Sequence, residues 1–146
     1  MRRTSYEQII EWKTRQGDHS RLGMELVAEI QSLAEKADAV VDTAYEYTNF
    51  IPIRLVTILE VFLRGQIAEL VNSNESYFER GEKLVRGAKI DLAFASHVDR
   101  RELTVGDFVA HAVSLNSIES VMKIMDTLLC SFASKLKASH RGGQRR

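Results

Sequence analysis

Apolar residues in this chain recur at steps of three and four, and that spacing limits the fold more than any other feature of it. From about Ser20 to Tyr47, Leu26, Ile30, Leu33, Ala37, Val40, Ala44 and Tyr47 follow one another at alternating four- and three-residue intervals. On an α-helix these positions form one stripe, and the alanines in it let a second helix approach closely. A second stripe comprises Ile118, Val121, Met122, Met125, Leu128, Leu129, Phe132 and Leu136, preceded by Asn116 and Glu119 at the spacing of an N-terminal cap. Period-two alternation, the mark of a half-buried strand, is missing, and Pro52 is the single proline. The expected fold class is all-α.

Between the two stripes lies the most apolar stretch, IPIRLVTILEVFLRGQIAEL at 51–70. Asn49 reads as its cap, and Pro52 is placed in a first turn, where a missing N–H is harmless. Leu55, Leu59, Leu63 and Leu70 gather on one side of the helix, and Val56, Phe62 and Ile67 widen the apolar surface to most of the circumference. This is the expected central helix. Glu60 precedes Arg64 by four residues, the favourable order for an exposed pair on the remaining face, with a contribution of ~0.3–0.5 kcal/mol. Arg54 lies roughly 120° from Glu60 around the axis and has no local partner.

Farther along, NSNES before Tyr77 is a turn and cap signal, and Gly81 and Gly87 weaken the helical pattern. Lys89 to Val98 is again apolar enough to pack. Thr104 and Asp107 have capping-box spacing ahead of Phe108, Val109 and Val113. The expected architecture is a helical bundle of about five or six helices, with residues 1–138 as a single domain and 139–146 as a basic flexible tail.

A chain of 146 residues can bury roughly two thirds of the surface its unfolded form exposes. Hydrophobic residues at 45% and charged residues at 27% are ordinary for a soluble globular protein. The single Cys130 rules out an internal disulfide, and no paired cysteines suggest zinc. The N-terminus lacks an apolar signal-peptide core, Glu7 and Glu11 argue against a transit peptide, and the run at 51–70 is too interrupted by charge to span a bilayer. A cytoplasmic protein with no membrane segment, no metal and no cofactor is therefore expected. Net charge is zero, but residues 135–146 carry Lys135, Lys137, Arg141, Arg145 and Arg146 and no acid, leaving 15 basic against 20 acidic residues elsewhere. Such a tail is a solvated terminus or a contact for nucleic-acid phosphates.

Most enzyme templates are absent: no glycine-rich phosphate loop, no paired-histidine zinc motif, no Glu-x-x-His of di-metal bundles. Ser120 and Lys123 spell S-x-x-K on the polar face of a helix, without the companion motifs of serine acyl-transfer enzymes. Glu35, Asp38, Asp42 and Glu46 form an acidic stripe that reads as the wet face of a helix and, in the alternative, as a surface gathering cations. Cys130, at the edge of the last apolar face, reads as a small packing residue. Asp107 and His111 stand one turn apart, so the carboxylate either orients the imidazole toward general-base chemistry or simply caps its helix. His97 stands near Arg100 and Arg101, where a cationic loop either accepts a phosphate or favours a helix end.

The run R-L-V-T-I-L-E-V-F-L-R at 54–64, with its apolar continuation to Val71, resembles the long helix of HEPN-domain proteins, all-helical domains of prokaryotic toxin and phage-defence systems. NSIESVMKIMDTLLCSF at 116–132 is similar to helices that precede the catalytic segment in some of those families, and the resemblance covers about residues 45–135. It implies a HEPN-like bundle that forms a homodimer, often with an RNA-cleaving site at the dimer cleft. By that analogy Arg54 and Glu60 become candidate catalytic positions facing the cleft, joined by His111. Arg100, Arg101, Lys137 and Arg141 become candidate nucleic-acid contacts.

The family's signature, an Arg followed after four to six intervening residues by a His, does not occur in this chain. Arg15 and His19 are too close, Arg101 and His111 too far apart, and His140 precedes Arg141. The resemblance therefore implies either a degenerate, non-catalytic member or a catalytic segment beyond Arg146. The rival expectation, from a different class, is a non-enzymatic helical module that binds a partner protein.

Overall fold

The computed structural model describes residues 4–17, 23–41, 50–89, 94–95, 97, 103–132 and 134–135. Six helices lie among them: α1 (Ser5–Gly17), α2 (Gly23–Val41), α3 (Phe50–Ser73), α4 (Glu75–Leu84), α5 (Val105–Ala112) and α6 (Ile118–Leu129). No strand occurs among the described residues, so the all-α expectation holds. The chain divides into two compact units, residues 1–66 and 67–146. No helix among the described residues is long and apolar enough to cross a membrane.

In the first unit, α1 opens with a reciprocal cap. The Glu7 N–H donates to Thr4 Oγ1 at 3.3 Å, and the Thr4 N–H donates to Glu7 Oε2 at 2.9 Å. Ile9 and Trp12, three residues apart, are buried, whereas Thr14 is exposed. The Trp12 Nε1–H is buried with no hydrogen-bond partner among the described residues, an arrangement that costs about 1–3 kcal/mol and is offset by the area the indole buries. On α2 the expected stripe is recognisable: Leu26, Ile30, Leu33 and Ala37 are half-buried, while Glu35 and Asp38 are exposed. The side chains from Val40 to Tyr47, with Asp42 and Glu46, lie outside the described residues.

On α3 the structure corrects the expected leucine face. Leu55, Leu63 and Leu70 are only half-buried and Leu59 is exposed, whereas Ile58, Val61, Gly65 and Ala68 are buried. These four fall at steps of three, four and three, which is one helical stripe. A helix apolar around most of its circumference offers no periodic reason to prefer one face. The buried face runs from Ile58 through Val61 to Gly65 and Ala68, and near the end of the helix Ile67 and Val71, on the other side, are buried as well.

The second unit has a core of Ile67, Val71, Phe94, Leu103, Phe108, Val109, Ala110, Val113, Ile124, Met125 and Leu128. Helix α4 packs against α5 and α6, and the rings of Phe94 and Phe108 meet tilted at 45° with centroids 5.0 Å apart. Each helix start has its cap. Asn74 Oδ1 accepts from the Tyr77 N–H at 3.1 Å, as the NSNES signal suggests. Thr104 and Asp107 form the expected capping box, with both reciprocal bonds made. The cap of α6 is Ser117, whose Oγ accepts from the Ser120 N–H at 3.1 Å, one residue later than the Asn116 read from the sequence.

Asn72 ties the end of α3 to the start of α5. Its Oδ1 accepts from the Gly106 N–H at 3.0 Å, and its Nδ2 donates to Thr104 Oγ1 at 2.9 Å. That hydroxyl also accepts from the Asp107 N–H at 3.1 Å and donates to Asp107 Oδ2 at 2.8 Å, so its one donor and two acceptor sites are all used. Glycine is required at the crossing, because a Cβ on Gly106 would collide with the Ala68 carbonyl oxygen and the Asn72 amide. Gly81 is similarly confined: a Cβ there would lie 2.9 Å from a Val71 methyl. Of the two glycines that weaken the helical pattern, Gly81 lies at this close contact, whereas Gly87, at φ 88°, meets open space.

Helix α6 stops earlier than its apolar stripe implies. Cys130 (φ 47°) and Ser131 (φ 66°) have left-handed backbone, and helical backbone resumes at Phe132. The stop coincides with a substituted donor: Arg80 Nη1 donates to the Leu128 carbonyl at 2.8 Å, taking the place that the N–H of residue 132 holds in an unbroken helix. The same guanidinium lies 5.5 Å from the Tyr77 ring centroid, and its charge suits the negative end of a helix. Cys130 is exposed and does not pack, contrary to the sequence expectation; the backbone turn carries it off the apolar face. Ile118 is also exposed, and Leu136 lies outside the described residues.

Two substitutions probe this arrangement by urea denaturation. Gly106→Ala is expected to destabilise by about 1–3 kcal/mol or more through forced overlap, and Asn72→Ala by about 1–3 kcal/mol through unpaired buried groups. Gly23→Ala, where an added methyl meets open space, is the control and should change little. Equal midpoints for Gly106→Ala and the control would refute the close crossing.

Candidate functional site

The chemistry singled out in the sequence begins on the first half of α3. Arg64 donates to a single Glu60 oxygen, Oε1, through Nη2 at 2.8 Å and Nε at 3.0 Å. The side chains are 14% exposed for Arg64 and 45% for Glu60, so the pair is half-buried and not the fully solvated one expected. The guanidinium is largely sheltered along the apolar helix, and the carboxylate neutralises it where water reaches it less well. Both hydrogen bonds fall on Oε1, and the Glu60 side chain is 45% exposed.

Arg54 is exposed and makes no hydrogen bond or ion pair with a described residue. Its place on the helix explains why it does not join the Glu60 pair. Counting by helical steps, Arg54 precedes Ile58, Val61 and Gly65 on the stripe that is buried, and so stands at that stripe's open N-terminal end.

His111 occupies the last turn of α5 and is half-buried. Asp107, one turn earlier, is 4% exposed and serves as the helix cap, its Oδ2 accepting from the Thr104 N–H and Thr104 Oγ1, both at 2.8 Å. The capping role of Asp107 is thus realised through Oδ2. An imidazole at a helix C-terminus interacts favourably with the dipole when protonated. Arg54 and Glu60 belong to the first unit and His111 to the second, so the three candidate catalytic residues do not share a unit.

The remaining candidates divide into the accounted for and the undescribed. Arg100, Arg101, Lys137 and Arg141, together with the tail at 139–146, lie outside the described residues. Ser120 helps cap α6, its hydroxyl accepting from Ser117 Oγ at 3.0 Å, while Lys123 is exposed. Among the described residues no group of three or more His, Cys, Asp or Glu side chains is placed to hold a metal ion.

A different feature is prominent on α3. Phe50, Ile53 and Val56 are each more than 60% exposed and Leu59 is 36% exposed. Ile53, Val56 and Leu59 recur every three residues and span roughly 120° of the helix surface, opposite Ile58, Val61 and Gly65 and on the side where Ile67 and Val71 are buried farther along. The sequence contains a signal for it, an apolar run too wide for one buried face, but not which side remains exposed. No protein-family model matches the chain, and no curated protein or solved structure matches it.

The Glu60–Arg64 geometry yields a measurable expectation. Glu60→Ala should destabilise the protein by roughly 1–2 kcal/mol by removing the carboxylate bonded to a sheltered guanidinium, against less than about 0.5 kcal/mol for Arg54→Ala on the open surface. Equal small effects from both, in chemical denaturation, would mean that the pair is merely a solvated one.

Proposed function

We propose that this chain is a non-enzymatic helical interaction module that works by binding another protein surface, a second copy of itself included. The observation that carries the reading is on the first half of α3: Glu60 pairs with Arg64, while Ile53 and Val56 remain 62% exposed on the opposite side from Ile58, Val61 and Gly65. Apolar side chains presented at helical spacing are the anchors by which helices dock into grooves or onto each other. A polar site for catalysis asks for the reverse, with acid, base and cation convergent and uncommitted. Association is tested by the mass of the purified protein across low to high micromolar concentration, and by mixing with candidate partners. Val56→Glu, an exposed change expected to leave folding intact, should abolish any association observed. A monomer at every concentration, with no partner lost on that substitution, would overturn the reading.

A second reading keeps the HEPN-like resemblance: a domain of a toxin or phage-defence system related to RNA cleavage, with its Arg and His signature degenerate or supplied elsewhere. What supports it is the 54–64 run on a single long helix and the exposed Arg54, a cation able to meet a phosphate. On this reading the protein cleaves at least one member of a broad RNA panel, and Arg54→Ala lowers the rate at least tenfold without moving the unfolding midpoint. Absence of cleavage throughout the panel leaves the binding role alone.

A further inference from the structure

We draw no further inference here: the strongest candidate, the exposed apolar stripe of Ile53, Val56 and Leu59 on the first half of the long helix α3, belongs to the reading already given, and nothing in the structure shows what covers it.

Discussion

The second unit depends on the place where α5 begins against the end of α3. There the backbone of Gly106 lies so close to the Ala68 carbonyl that no side chain fits between them. Such an approach brings polar backbone into a part-buried place, where leaving it unpaired is costly. Asn72 removes that cost by accepting from the Gly106 N–H and donating to Thr104, which is itself saturated by Asp107. A start cap for α5 and a tertiary contact are thus one network. Once α5 is held, Phe108 and Val109 enter the core beside Phe94 and Val71.

Helix α6 shows the same economy at its other end. Arg80 reaches from α4 to the Leu128 carbonyl, so a single side chain terminates one helix and joins it to another. The backbone then turns through Cys130 and Ser131 in a conformation that few side chains adopt without support. This explains why an apolar stripe that continues in the sequence does not continue as one helix. A hydrogen bond from a residue about fifty positions earlier is invisible to any local pattern.

For function, the arrangement of charge on α3 matters more than its amount. Arg54, Glu60 and Arg64 looked like three anomalies in one apolar run. Glu60 and Arg64 pair along a half-buried flank, whereas Arg54 is exposed and has no described partner. Asp107, the other carboxylate of interest, is absorbed by Thr104. The surface that remains exposed on the first half of α3 is mainly apolar.

The helices themselves were determined by the sequence: three- and four-residue spacing, the Asn74 cap and the Thr104–Asp107 box are local properties, and each reappears in the structure. The same holds for the Glu60–Arg64 pairing, because one helical turn brings the two together whatever surrounds them. Tertiary structure alone decided which side of α3 is buried, how sheltered Arg64 is, where α6 ends, and that Asp107 is held by a network including Asn72. A helix apolar nearly all round contains no periodic preference, so which of its positions are buried is set by what packs against it: Ala68 meets the backbone of Gly106, and Ile67 and Val71 are buried on the other side.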